Sequence, residues 1–218
     1  MTAGKTAPHL TRLCIVRHGE TAWNAEHRVQ GQLDIPLNEI GLRQAQAVGK
    51  VLGAERFDVI YSSDLSRAMQ TAQPTASALG MRILTDKDLR ERHYGMFERQ
   101  TYAEVKGRHS AEYARFAARD PDFDFGGGES LTAFTARSLA ALVRIAGTHA
   151  GGQVLVFTHG GVLDELYRHI QGLPVRAVRE FGIPNCGLNR VEFALSRWQI
   201  QAWADVAHLE RALDDLKE

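Results

Sequence analysis

Apolar residues come in short dense runs, separated by stretches with a three-to-four-residue rhythm, the alternation expected of buried strands interleaved with amphipathic helices. Leu13-Cys14-Ile15-Val16 dominates a strand predicted over 10–16. Asn38 can cap a helix running to about Gly53, with Ile40, Ala45, Val48 and Leu52 spaced for one buried face. A second strand is predicted over 57–61, then a helix from Leu65 to about Leu79, kinked at Pro74, and a short strand over 82–84. Residues 101–119 read as helix-rich, and 120–128 as a loop ending in Gly126-Gly127-Gly128, a flexible connection. Ser130 caps a long helix to about Thr148, with Leu131, Phe134, Leu142 and Ile145 inward. An apolar strand over 154–157 leads to a helix over 162–171, and strands over 189–193 and 198–203 close the pattern. The pattern predicts a three-layer α/β/α sandwich on a mostly parallel central sheet. One domain over 10–209 is expected between a disordered tail, 1–9, and a C-terminal tail, 210–218, with an insert over about 97–128 forming a short helical cap.

The 218 residues suffice for one substantial core. With 26 basic and 26 acidic residues, no global field draws the chain to nucleic acid or to an anionic membrane. Cys14 and Cys186 stand alone in apolar contexts, as buried free thiols of an intracellular protein do. No apolar stretch approaches ~18 residues, and the first nine residues lack the apolar centre of a signal peptide. A cytoplasmic protein is expected. His93, His109, His149, His169 and His208 show no metal-ligand spacing, so neither metal nor cofactor is expected. Trp198, Trp203, Phe97, Phe116, Phe123 and Phe125 read as packing residues, some of the phenylalanines at the cleft entrance.

Polar residues at the strand ends carry the chemistry. Arg17-His18-Gly19-Glu20-Thr21 follows the first apolar run, Ser62-Ser63-Asp64-Leu65-Ser66-Arg67-Ala68 the second strand, and Thr158-His159-Gly160-Gly161 the run at 154–157. In a parallel sheet these carboxyl ends converge on one edge, where open α/β sheets hold their ligands. Two guanidiniums and two imidazoles gathered there repel unless an anion is bound. A phosphate dianion satisfies all four.

These segments, with Trp23-Asn24 and Leu89-Arg90-Glu91-Arg92-His93-Tyr94-Gly95, resemble the histidine phosphatase superfamily in its phosphoglycerate-mutase-like branch, over roughly residues 10–209. His18 fits the nucleophile, a neutral imidazole nitrogen that attacks phosphorus and becomes a phosphohistidine. Arg17, Arg67 and His159 would hold the nonbridging oxygens, and the resemblance implies the same four roles. It also selects Glu91 as the acid that protonates the leaving oxygen and then deprotonates water. Asn24 matches a phosphate-contacting position, and Arg92 and Tyr94 match substrate-contacting ones. Gly160 can offer a backbone N–H from the start of a helix. Thr21 and Gly31 complete the expected substrate contacts.

The expected activity is a phosphomonoesterase acting on a small phosphorylated substrate, with no nucleic-acid or membrane partner and a homodimer left open. The alternatives are a phosphoglycerate mutase using 2,3-bisphosphoglycerate and a non-catalytic phosphate-binding module. Three departures from the mutase pattern favour hydrolysis. Tyr102 stands where the mutases carry Lys, Gly161 where they carry Asn, and the insert is short and lacks their paired arginines. Arg108, Arg115 and Arg119 of the insert either bind a second anionic group or face solvent.

Overall fold

A computed structural model describes residues 10–209; the two predicted tails lie outside the described residues. Six strands form one sheet: β1 (Thr11–Arg17), β2 (Val59–Ser62), β3 (Ile83–Thr85), β4 (Gln153–Thr158), β5 (Leu188–Ala194) and β6 (Arg197–Asp205). Their order is β3-β2-β4-β1-β5-β6. The first four are parallel, β5 pairs antiparallel with β1, and β6 pairs antiparallel with β5 at the edge. The mostly parallel α/β architecture is thus the one predicted, with strand ends shifted by up to two residues.

β4 sits between β1 and β2, and its apolar run is buried on both faces, as a central parallel strand requires. β1 alternates between the layers. Leu13 and Ile15 pack with α6 (Leu131–Thr148) and α7 (Gly160–Gln171) on one face, while Cys14 and Val16 pack with α2 (Glu39–Leu52) and α3 (Ser66–Leu79) on the other. Both cysteines are buried free thiols, and burial pushes the Cys14 thiol up to about 12, so it stays protonated. No helix among the described residues is long and apolar enough to cross a membrane.

The buried stripe of α2 differs from the predicted one by one position. Ala45, Val48 and Leu52 are buried, but Ile40 is 43% exposed. Gly41 takes the inward place, because a Cβ there would overlap the backbone of Glu20. Asn38 caps this helix through the Gly41 N–H, and Ser130 caps α6 through that of Ala133. α3 runs unbroken through Pro74, against which Gly49 of α2 packs without room for a Cβ.

The insert forms α4 (Tyr102–Arg108) and α5 (Ser110–Ala117) over a small core of its own, in which Phe97, Phe123 and Phe125 join Val29 and Val105. Backbone bonds between Val29 and Gln100, and between His27 and Tyr102, tie this cap to the loop after β1. The triglycine run is a turn whose first two glycines are exposed and whose third is packed against the acid-bearing loop's backbone. Gly126 and Gly127 hold positive φ, and Gly128 donates to Asp124 O while lying too close to His93 O for a Cβ.

Candidate active site

Strand register brings the polar segments together. Arg17 pairs with Thr158 and Ser62 with Phe157, so the chains leave β1, β4 and β2 at one edge as His18, His159 and Ser63. A cleft of about 840 Å3 lies between that edge and the cap, with His18 on its wall.

His18 is 3% exposed, and its Nδ1 lies 2.7 Å from Gly19 O. A carbonyl only accepts, so Nδ1 carries the proton and Nε2 keeps its lone pair. Burial foremost, then the charges of Arg67 and Arg17, hold this imidazole well below its ordinary pKa. The neutral ring thus keeps a free lone pair on Nε2.

Two arginines flank it. Arg67, with 0% exposure, donates from Nη1 to Leu33 O and from Nη2 to Gly31 O, while its Nε is buried without a partner. Burial lowers its pKa to about 10, against the pull of Glu91 and Asp34. Arg17 is anchored from Nη1 to Ile183 O at 2.5 Å, and its Nε is likewise buried and unpartnered. Neither guanidinium forms an ion pair among the described residues. Cations so withdrawn from water favour an anionic partner, and here Arg67 is buried and Arg17 part-buried.

His159 takes a different place from the one expected. It is fully buried, with its ring centroid 5.2 Å from that of His18, and it lies behind the cleft rather than on its wall. Its Nε2 is 2.8 Å from Ser63 Oγ, and its Nδ1 has no partner.

Glu91 reaches the opposite side of the cleft from the loop after β3. Its Oε1 accepts the Arg92 N–H and its Oε2 the N–H of Gly161 at the start of α7. A Cβ on Gly161 would overlap the carboxylate where it now lies, so a side chain there would displace Glu91. The loop is braced by a bidentate Arg90–Asp64 pair, both contacts 2.6 Å, and by Arg137 and Gln32 on the carbonyl of Glu91. Among the described residues no group of three or more His, Cys, Asp or Glu is placed to hold a metal.

A family model described as the histidine phosphatase superfamily, branch 1, matches residues 13–206. The chain belongs to the histidine phosphatase superfamily. Among its curated relatives, phosphoglycerate mutase-like protein 4 of Arabidopsis thaliana is 42% identical over 201 residues, covering 91% of this chain and 86% of its own. The metal-independent phosphoserine phosphatase of the same plant is 39% identical over 208 residues, 94% of this chain and 86% of its own. A mycobacterial glucosyl-3-phosphoglycerate phosphatase in complex with VO3 superposes with a TM-score of 0.76 at 34% identity, covering 88% of this chain and 98% of that one.

Of the residues singled out in the sequence, this histidine phosphatase chain brings Arg17, His18, Asn24, Gly31, Arg67, Glu91, Arg92, Tyr94 and Gly160 to one cleft. Several of them have structural partners there. Asn24 spends Oδ1 on the Thr21 N–H and hydroxyl, in a capping box that opens α1 (Ala22–Ala25). Thr21 is fully buried in that box and is off the cleft wall. Gly31 supplies the carbonyl that anchors Arg67. Arg92 donates to Glu129 O and Phe123 O and lies over the Phe125 ring, fastening the acid loop to the cap. Tyr94 packs edge-on against Phe116 and Phe125. Sequence reading missed Ser63 as the partner of His159, the seat at Gly161, and the segment between α7 and β5. The doubled glycine after His159 was a signal for the second; the others are visible only in three dimensions.

Proposed function

We propose that this enzyme hydrolyses phosphomonoesters of small metabolites through a phosphohistidine on His18. The observation that carries the reading is the pair of guanidiniums, part-buried Arg17 and buried Arg67, that flank His18 with buried, unpartnered Nε groups and no ion pair among the described residues. A phosphoryl group supplies the missing charge and accepts those donors. His18 Nε2 attacks phosphorus in line, the bond from phosphorus to the ester oxygen breaks, and Glu91 protonates the departing oxygen. Glu91 then takes a proton from water, whose oxygen attacks the phosphohistidine and releases inorganic phosphate and free His18. His159, hydrogen-bonded to Ser63 and with its ring centroid 5.2 Å from that of His18, supports His18 from behind.

The test is turnover of p-nitrophenyl phosphate at mildly acidic pH, with the enzyme quenched in mid-reaction. Phosphate should be found on His18, labile in acid and stable in base, and His18→Ala should lose several orders of magnitude in rate. Label on a serine or aspartate, or full activity in the variant, overturns the mechanism.

A phosphoglycerate mutase is the second reading, favoured by the 42% identity to a phosphoglycerate mutase-like protein. Hydrolysis is preferred because Tyr102 and Gly161 replace a cation and an amide of the mutase pattern. Incubation with 3-phosphoglycerate and catalytic 2,3-bisphosphoglycerate should release phosphate, or leave the substrate unchanged, without appreciable 2-phosphoglycerate. Rapid interconversion of the two monophosphates would reverse the preference.

A further inference from the structure

The cleft carries more positive charge than one phosphate group can answer. Eight arginines and three carboxylates line it, and Arg28 among them is paired with Glu26 at 2.8 Å, so four positive charges remain, in a chain whose 26 basic and 26 acidic residues balance. A phosphate dianion offsets two.

The remaining arginines divide into two kinds. Arg119, the cap arginine that the sequence offers as an anion ligand, is already spent. It donates to Asp164 and Glu165 of α7 at 2.8 and 2.5 Å, and from Nε to Val175 O at 2.6 Å. Arg168 donates to Asp164 at 2.9 Å and to Ala177 O at 2.8 Å. Together they fasten the segment that follows α7, and its far end is fastened too. Gly182 O accepts the Trp203 indole N–H at 3.0 Å, and Ile183 O accepts from Arg17.

Between those fastenings stand Arg176 and Arg179. Both are exposed, both line the cleft, and neither makes an ion pair or side-chain hydrogen bond among the described residues. Glu180, the adjacent carboxylate, is not on the cleft wall. The charge of Arg179 reaches the cage, since after burial and the opposing pull of Glu91 it is the next influence on the Arg17 guanidinium. The segment therefore presents two free cations at the mouth of a cleft whose floor is the phosphate cage.

We infer that Arg176 and Arg179 receive a second anionic group of the substrate, a carboxylate or a second phosphate, so that the preferred substrates are small phosphorylated acids or bisphosphates. This rests on the phosphatase reading above, which places the first phosphate on His18. The tethering of the segment limits the ordering cost of the contact, and guanidinium forks match either oxyanion.

The experiment measures competitive inhibition of p-nitrophenyl phosphate turnover by matched pairs. 3-Phosphoglycerate against glycerol 3-phosphate tests a carboxylate, and fructose 1,6-bisphosphate against fructose 6-phosphate tests a second phosphate. In at least one pair the more anionic member should bind about tenfold more tightly, the scale of one charge-assisted hydrogen bond. The Arg176→Ala/Arg179→Ala double variant should erase that ratio. Equal inhibition within both pairs, or a ratio unchanged in the variant, overturns the inference and leaves the phosphatase standing. Absence of any p-nitrophenyl phosphate turnover by the wild-type enzyme overturns the phosphatase reading and this one with it.

Discussion

Glu91 rests its Oε2 on the Gly161 N–H at 2.9 Å, and the place a Gly161 Cβ would occupy is filled by the same carboxylate. Glu91, the acid of the proposed mechanism, and the start of the helix that follows His159 are thus one fitted unit. Two residues of chain separate His159, which backs His18, from Gly161, which holds Glu91.

Gly161→Ala should therefore displace Glu91 while the helix, which favours Ala over Gly, stays intact. We expect the rate with a poor leaving group, such as glycerol 3-phosphate, to fall by about tenfold or more, because small misplacements of a catalytic group are costly. Phosphorylation of His18 by p-nitrophenyl phosphate should fall much less. Equal losses with both substrates would mean that Gly161 does not act through Glu91.

Removing the acid itself should sharpen the same contrast. Glu91→Gln should lose roughly 10²–10⁴-fold with alkyl phosphates, the usual contribution of general acid catalysis. A phenolate departs almost unaided, so the first half-reaction with p-nitrophenyl phosphate should be largely preserved. Single-turnover measurements with both leaving groups decide it.

His18 and His159 should both stay neutral in the free enzyme as the pH falls below 6.5. Burial, before any charge effect, holds both imidazoles well below that value. Their folded-state pKa values are lowered, so the unfolded chain binds the extra protons first. The stability that depends on the neutral rings is full above pH 6.5 and declines as the pH drops towards their folded values. The slope is at most about 1.4 kcal/mol per pH unit for each ring. Nitrogen-detected NMR at pH 6 should show unprotonated Nε2 on His18; an imidazolium there would refute the assignment.

Arg92 should matter as much to stability as to substrate. It is 6% exposed and donates to Phe123 O and Glu129 O, both at 2.9 Å. Arg92→Ala abandons two buried carbonyls, at a cost of about 3 kcal/mol from hydrogen bonds to a charged group. Urea unfolding measures it, and a loss well under 1 kcal/mol would show that the cap holds its acid loop by other means.

Much of this molecule is local in origin and was readable from the chain. Dense apolar runs marked β1 and β4, and helical spacing marked α6 with Leu131, Phe134, Leu142 and Ile145 inward, all of them buried. The motifs around His18, Arg67 and His159 lie at strand ends because short apolar runs stop there, and parallel pairing brings such ends to one edge. What sequence could not decide was which of two partners a polar side chain takes, since that depends on groups far apart in the chain. Arg92 and Tyr94 face the cleft yet spend their contacts on the cap. Ile40 is exposed because Gly41, pressed onto Glu20, takes its inward place. Arg119 is consumed by Asp164 and Glu165, 45 and 46 residues away, whereas Arg176 and Arg179 at the cleft mouth form no ion pair among the described residues. Strand and helix follow from spacing that the chain carries locally; the accounting of charges and hydrogen bonds across the cleft exists only once the sheet has closed.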